Sequence, residues 1–229
     1  MINNSLWVMD ELPAQHANMV FFTPDCKKCN FYFLKEASYI SILNDPSNSF
    51  YKILKSLRDN DQFLKKLSKL NFNLKTFKKE KQKKSFKSEL EESINTYILY
   101  KFSLNNNLKD YKKNTDCKSS ITSSIKELSQ ICSKMDKKST FIYNYPLLDA
   151  LKLFNNEDIV IYYSPTIKEI NSPEHKDVIN VLLKQHSKIL IHSYENKIYK
   201  KLLKNWTKKR KPGQKNKNKI ECVWKNFTN

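Results

Sequence analysis

The stretch DIVIYYSPTI, residues 158–167, narrows the possible folds more than any other part of the chain. Its run of apolar and aromatic residues, 159–163, is too short for a helix of its own, and β-branched and aromatic types dominate it. That composition predicts a strand buried on both faces, as in a parallel sheet. Pro165 ends the ladder, because it has no N–H to donate. In open α/β sheets ligands gather beyond the carboxyl ends of the strands. Ser164, Pro165, Thr166 and Ile167 therefore stand where chemistry would be done, although the same four residues also read as an ordinary strand-to-loop turn.

The remaining pattern alternates strand and helix. Short apolar runs predict strands at 19–22 (MVFF), 39–43 (YISIL), 140–143, 188–192 (KILIH) and 220–227. Residues 1–18 hold few periodic signals. A helix is expected after Asn44-Asp45-Pro46, with Asp45 as N-cap and Pro46 at a tolerated first position. Ser88 with Glu91 fits a capping box opening a helix over 88–104. Further helices are expected at 121–135, 146–154, 172–183 and 196–206, with polar loops at 105–120 and, strongly basic, at 207–219. Strands alternating with helices predict an α/β protein built on a parallel-dominated, three-layer sheet.

Gly213 is the only glycine. Loops that cradle phosphates or nucleotides need glycines so that backbone N–H groups can approach closely. Walker, dinucleotide-binding and kinase-type loops are thereby excluded, as is an intact glycine-rich loop for S-adenosylmethionine. No Ser/His/Asp or paired-carboxylate constellation points to a hydrolase. Five cysteines suit a reduced compartment. Cys26 and Cys29 form a CxxC that is either half a zinc site, a redox pair or two ordinary thiols; without a second close pair, no metal site is expected. No apolar run reaches membrane-spanning length and no signal peptide is recognisable, so an intracellular protein, cytoplasmic or DNA-associated, is expected.

The net charge is +19 and the pI near 9.6, which predicts an anionic partner, nucleic acid first. Only Arg58 and Arg210 are arginines. Lysine is a point charge suited to phosphates, so backbone contact with little base selectivity is expected. Residues 65–87 interleave lysines with Leu70, Phe72, Leu74, Phe77 and Phe86. Such a stretch can track a nucleic-acid backbone or form a solvated arm. Lys78, Lys79, Lys81, Lys83 and Lys84 are its candidate contacts, joined by Lys208, Lys209, Arg210 and Lys211 near the C-terminus.

The order of these landmarks resembles the Dam-type adenine-specific DNA methyltransferases, Rossmann-like enzymes that move a methyl group from S-adenosylmethionine to adenine. HKDVINVLLKQHSKILIHSYENKIYKKLLKNW followed by KIECVWKNF is similar to that family's closing helix, strand, helix and final strand, with Tyr194, Tyr199, Trp206, Glu221, Trp224 and Asn226 at matching places. YNYPLLDALKLFNNEDIVIYY resembles the helix and strand that lead into the catalytic motif. LPAQHANMVFFTP and YISILNDPSNSFYKILKSLRDN resemble the approach to the cofactor loop and the acidic strand end after it. The similarity runs along nearly the whole chain.

The resemblance implies three chemical sites, and each departs from the family here. The catalytic Asp-Pro-Pro-Tyr, which binds and stacks on a flipped adenine, is replaced by Ser164-Pro165-Thr166-Ile167. In the cofactor loop Pro24 matches, but Lys27 and Cys29 stand at the glycine positions. The N-terminal lysine-glycine element has no counterpart in residues 1–10. Asp45 falls where the family's acidic residue holds the ribose hydroxyls. The family's DNA-recognition insertion corresponds to a basic helical insertion, 64–115, between core segments 1–63 and 116–229. The expectation is a degenerate, non-catalytic homologue, a pseudoenzyme with no cofactor. It would bind DNA or join an active methyltransferase in a heterodimer, as in restriction-modification systems. The alternatives are a divergent, active S-adenosylmethionine-dependent adenine methyltransferase using Ser164, and a non-specific nucleic-acid-binding protein.

Overall fold

The computed structural model describes residues 6–13, 18–22, 39–46, 48–70, 73–103, 110–111, 117–165, 167–212 and 220–228. Seven strands form one sheet: β1 (Asn18–Phe22), β2 (Ile40–Asn44), β3 (Thr140–Tyr143), β4 (Ile159–Tyr163), β5 (Lys188–Tyr194), β6 (Thr207–Pro212) and β7 (Ile220–Lys225). Their order is β3-β2-β1-β4-β5-β7-β6. The first five are parallel, and β7 runs antiparallel to both β5 and β6. The chain is thus an α/β protein with a mostly parallel mixed sheet, compatible with a Rossmann-like fold. From β1 the chain builds outward through β2 and β3, then returns to the other side of β1 for β4 and β5. The crevice between the ends of β1 and β4 is the topological switch point.

The chain divides into two compact units, residues 1–47 with 139–229, and residues 48–138. The first holds the sheet, with α1 (Leu6–Met9), α7 (Leu147–Leu153), α8 (Ile167–Ile170), α9 (His175–Leu182) and α10 (Lys197–Leu202). The second holds α2 (Ser49–Asp59), α3 (Gln62–Ser68), α4 (Leu74–Gln82), α5 (Glu89–Phe102) and α6 (Cys117–Lys134). The expected insertion bounds, 64 and 115, fall inside this second unit.

Strand periodicity explains the core. Val20, Phe22, Ile161, Tyr163, Ile189 and Ile191 alternate onto one face of the sheet, where they cluster with Leu151 of α7, Ile179 of α9 and Tyr199 of α10. Met19, Phe21, Val160, Tyr162 and Leu190 alternate onto the other and are equally buried. Burial of both faces is why these strands read as unbroken apolar runs.

Three expectations need correction. Asp45 does not cap a helix: α2 starts at Ser49, and its N-cap Asn48 has φ 59°. In a chain with one glycine, asparagine takes this left-handed position because its short polar side chain tolerates it. The expected basic loop at 207–219 begins as a strand; residues 207–212 form β6, and Pro212 stands at the end of an edge strand, where a missing N–H is harmless. The Ser88–Glu91 capping box is half made. The Ser88 hydroxyl accepts from the Glu91 N–H at 3.2 Å, but the Glu91 carboxylate accepts from the Lys87 N–H at 2.9 Å.

Candidate functional site

Ser164 sits just past β4, beside the switch point. Its backbone N–H donates to the Phe22 carbonyl at 3.1 Å, extending the β1–β4 ladder by one rung. Its hydroxyl donates to the His192 carbonyl of β5 at 3.1 Å, and the residue has no exposed surface. Strand alternation explains this. Ser164 continues the period of Tyr162, and a short side chain there meets the neighbouring backbone. Pro165 is buried as well. Thr166 lies outside the described residues, and Ile167 opens α8.

At the end of β2, Asn44 holds the backbone of Tyr145 from both sides. Its amide nitrogen donates to the Tyr145 carbonyl, and its oxygen accepts from the Tyr145 N–H, both at 3.0 Å. This clamp presents Tyr145 stacked on Tyr143, with ring centroids 5.2 Å apart and Tyr145 40% exposed. Asp45 follows directly, buried, its N–H bonded to the Tyr143 carbonyl at 3.0 Å. Asp45 thus sits beside an exposed aromatic platform, outside any helix. Pro24, Cys26 and Cys29 lie outside the described residues. Among the described residues, no group of three or more His, Cys, Asp or Glu side chains could hold a metal ion.

Two buried tyrosine–histidine chains flank β4, one on each face. Tyr162 Oη lies 2.9 Å from His192 Nδ1, and His192 Nε2 lies 2.9 Å from Glu221 Oε1 on β7. On the opposite face, Tyr163 Oη lies 3.3 Å from His175 Nδ1, and His175 Nε2 lies 2.9 Å from Tyr199 Oη. Burial pushes the His175 imidazole down to about 4 and raises both tyrosines of this second chain. These two chains satisfy polar groups inside the sheet. Sequence reasoning missed them, because partners up to 30 residues apart meet only in the fold: strand register joins Tyr162, His192 and Glu221, and α9 and α10 bring His175 and Tyr199 to Tyr163.

The nine basic candidates fall into two groups, one in each unit. In the inserted unit α4 presents Lys78, Lys79 and Lys81 as exposed side chains, with Lys84 exposed just beyond it. Asn73 caps α4 by accepting from the Thr76 N–H at 2.9 Å. Glu80 turns inward to Asn95 of α5 at 3.0 Å, which fixes the opposite face of α4 outward. Lys83 does not belong with the surface set. It is half-buried and pairs with Glu80 at 2.8 Å and Glu91 at 3.3 Å. The Lys87 amide and the Lys83 ammonium in turn hold the Glu91 carboxyl below its ordinary value. Phe77 is buried against Tyr111, with centroids 5.3 Å apart, so it offers no face for a stacked base. This unit holds 22 Lys and Arg against 10 Asp and Glu, so it carries +12 of the net charge of +19.

In the sheet unit the basic run is the edge strand β6, whose period of two divides it. Lys208 and Arg210 face one way and meet Glu195, Arg210 at 2.7 Å, with Lys200 at 3.7 Å. Their hydrogen bonds and charge, Lys208 first, keep the Glu195 carboxyl below its usual value. Lys209 and Lys211 face the other way, Lys209 pairing with Glu11 at 2.6 Å and Lys211 lying 5.3 Å above the Trp7 ring. A charged edge strand is also protected against pairing with other chains.

Among the described residues, no helix is long and apolar enough to cross a membrane. No protein-family model matches the chain, and no curated protein matches it in sequence.

Proposed function

We propose that this chain is a catalytically degenerate homologue of the adenine-specific DNA methyltransferases, which binds DNA through its lysines or supports an active partner subunit. The observation that carries this reading is Ser164. At the place of the family's adenine-binding Asp, its hydroxyl is buried and donates to the His192 carbonyl. With no exposed surface, the hydroxyl oxygen is out of reach of the amine of a flipped base, and the serine has no carboxylate to offer. The doubly wound strand order and the antiparallel closing pair support a methyltransferase-like frame. The excess of lysine in the inserted unit, with Phe77 buried, supports contact with phosphates and not with bases.

A divergent enzyme that keeps its methyl donor is the second reading, and Asp45 favours it. Asp45, buried, follows directly on the strand end beside the Tyr143–Tyr145 stack, an acidic and aromatic pairing of the kind a ribose and a base would take. Calorimetry with S-adenosylmethionine separates the two. The degenerate reading expects no saturable heat, and micromolar binding would overturn it in favour of the second. In parallel, titration of a mixed-sequence DNA duplex should show binding that weakens steeply with salt. Absence of binding at low salt would refute the DNA-binding role.

A further inference from the structure

On the face of the sheet that carries His192, one carboxylate meets two ammonium groups beneath a third. Glu11 Oε1 lies 2.6 Å from Lys209 Nζ, and its Oε2 lies 3.1 Å from Lys225 Nζ. Lys225 thus holds the second oxygen as Lys209 holds the first. Lys211 stands over Trp7, whose ring meets His192 edge-on with centroids 6.0 Å apart. The register places these groups together: Lys209 lies opposite Val223, Thr207 opposite Lys225, and Val223 opposite His192. Glu11 and Lys225 are 3% and 5% exposed, whereas the Lys209 side chain is 56% exposed. The cluster is buried at its base and open along the sheet edge.

On this face three lysines, Lys209, Lys211 and Lys225, stand with two carboxylates, Glu11 and Glu221, the second lying cross-strand from Lys211 and 2.9 Å from His192 Nε2. Burial pushes the Glu11 carboxyl up, but Lys209 and Lys225 outweigh this and keep it ionised. Glu11 lies in the turn two residues after α1, itself a single turn. One turn has no stability of its own; the contacts of Trp7, Val8 and Glu11 with the sheet keep it in place.

We propose that Lys209, Lys211 and Lys225 form a phosphodiester site that Glu11 occupies in cis. A phosphodiester carries the same single charge as the carboxylate and likewise presents two oxygens. A DNA backbone running along β6 displaces Glu11, and α1 with Trp7 lifts away from His192. This rests on the DNA-binding reading and adds to it a gate and a further phosphate ligand, Lys225.

The test is a mixed-sequence 20-base-pair duplex titrated into the wild-type chain and into Glu11→Gln, with acrylamide quenching of Trp7 read as the difference from Trp7→Phe. Glu11→Gln should bind about threefold tighter at low salt, with a salt slope steeper by about 1, the increment for one more phosphate neutralised. Saturating DNA should make Trp7 more accessible in the wild-type chain. Unchanged or weaker binding by a folded Glu11→Gln would overturn the proposal and leave Glu11 an anchor, while the wild-type binding itself would still stand. If Glu11→Gln fails to fold, Trp7 decides, since unchanged quenching at saturation overturns the gate. A wild-type chain that binds no DNA would remove the underlying reading and this site with it.

Discussion

Acid should unfold this protein through one buried imidazole. His175 is 2% exposed and bonded at both nitrogens to tyrosine hydroxyls, and burial is what holds its imidazole low. Neutral imidazole has one donor and one acceptor, so one tyrosine donates to it and the other accepts. Protonation makes both nitrogens donors and forces one hydroxyl to turn inside a packed core. Burial places the folded value at about 4, against about 6.5 in the unfolded chain. The folded value is the lower one, so the unfolded state takes up the proton first. No penalty applies above about pH 6.5; it grows as the pH falls toward 4 and then levels off. At about pH 4.5 the loss reaches about 2.5 kcal/mol, an upper bound because the tyrosines can reorient. The assay is urea unfolding of the wild type and of His175→Gln, an uncharged side chain able to bond both tyrosines, at about pH 7 and about pH 4.5. Acid effects from the carboxylates are common to both proteins and cancel in the difference. The wild type should lose about 2 kcal/mol more than the variant on acidification. Parallel losses in the two proteins would refute the reasoning.

Other substitutions probe the site and the frame. Ser164→Ala should cost about 1 kcal/mol, the net value of a buried hydrogen bond, and leave DNA affinity unchanged; a selective loss of methyl transfer would show that the serine acts chemically. Changing Lys78, Lys79, Lys81 and Lys84 together to Gln should weaken DNA binding uniformly across sequences and flatten the salt slope by up to about 3.6, as read by titration at several salt concentrations. Lys83→Gln should instead lower thermal stability slightly, by under about 1 kcal/mol, with little effect on that slope, because Lys83 pairs with Glu80 and Glu91. Ile161→Ala, at the fully buried centre of β4, should cost about 2–5 kcal/mol in urea unfolding with the fold retained.

The charge distribution bears on how any nucleic acid is held. In β6 each cation except Lys211 meets a carboxylate of its own unit, and Lys211 lies on an indole ring. In α4 Glu80 turns inward and leaves the lysines around it facing outward. Equal runs of basic letters therefore differ in how much charge they offer a phosphate. A peptide of residues 207–211 should bind DNA more strongly, relative to its charge, than the same run does in the folded sheet.

Much of the frame was already determined by residue order. Runs such as MVFF, IVIYY and KILIH are β-branched and aromatic, and they became β1, β4 and β5, because a strand buried on both faces needs only local composition to declare itself. Asn196 and Ser88 opened helices as their short polar side chains predict. What depended on partners far along the chain could be decided only in three dimensions. Asp45 carries a good capping side chain, yet the backbone turned into α2 three residues later, at Asn48. The basic run from Thr207 reads as a loop because nothing apolar marks it, but pairing with β7 makes it a strand. Ser164 was placed at the strand end by sequence; its hydroxyl bond to β5 exists only because β4 and β5 are neighbours. Local composition sets which segments extend or coil, whereas the ion pairs of Glu11 and the two tyrosine–histidine chains arise from strand register and from helices packed on the sheet, which bring together residues that no short window of sequence contains.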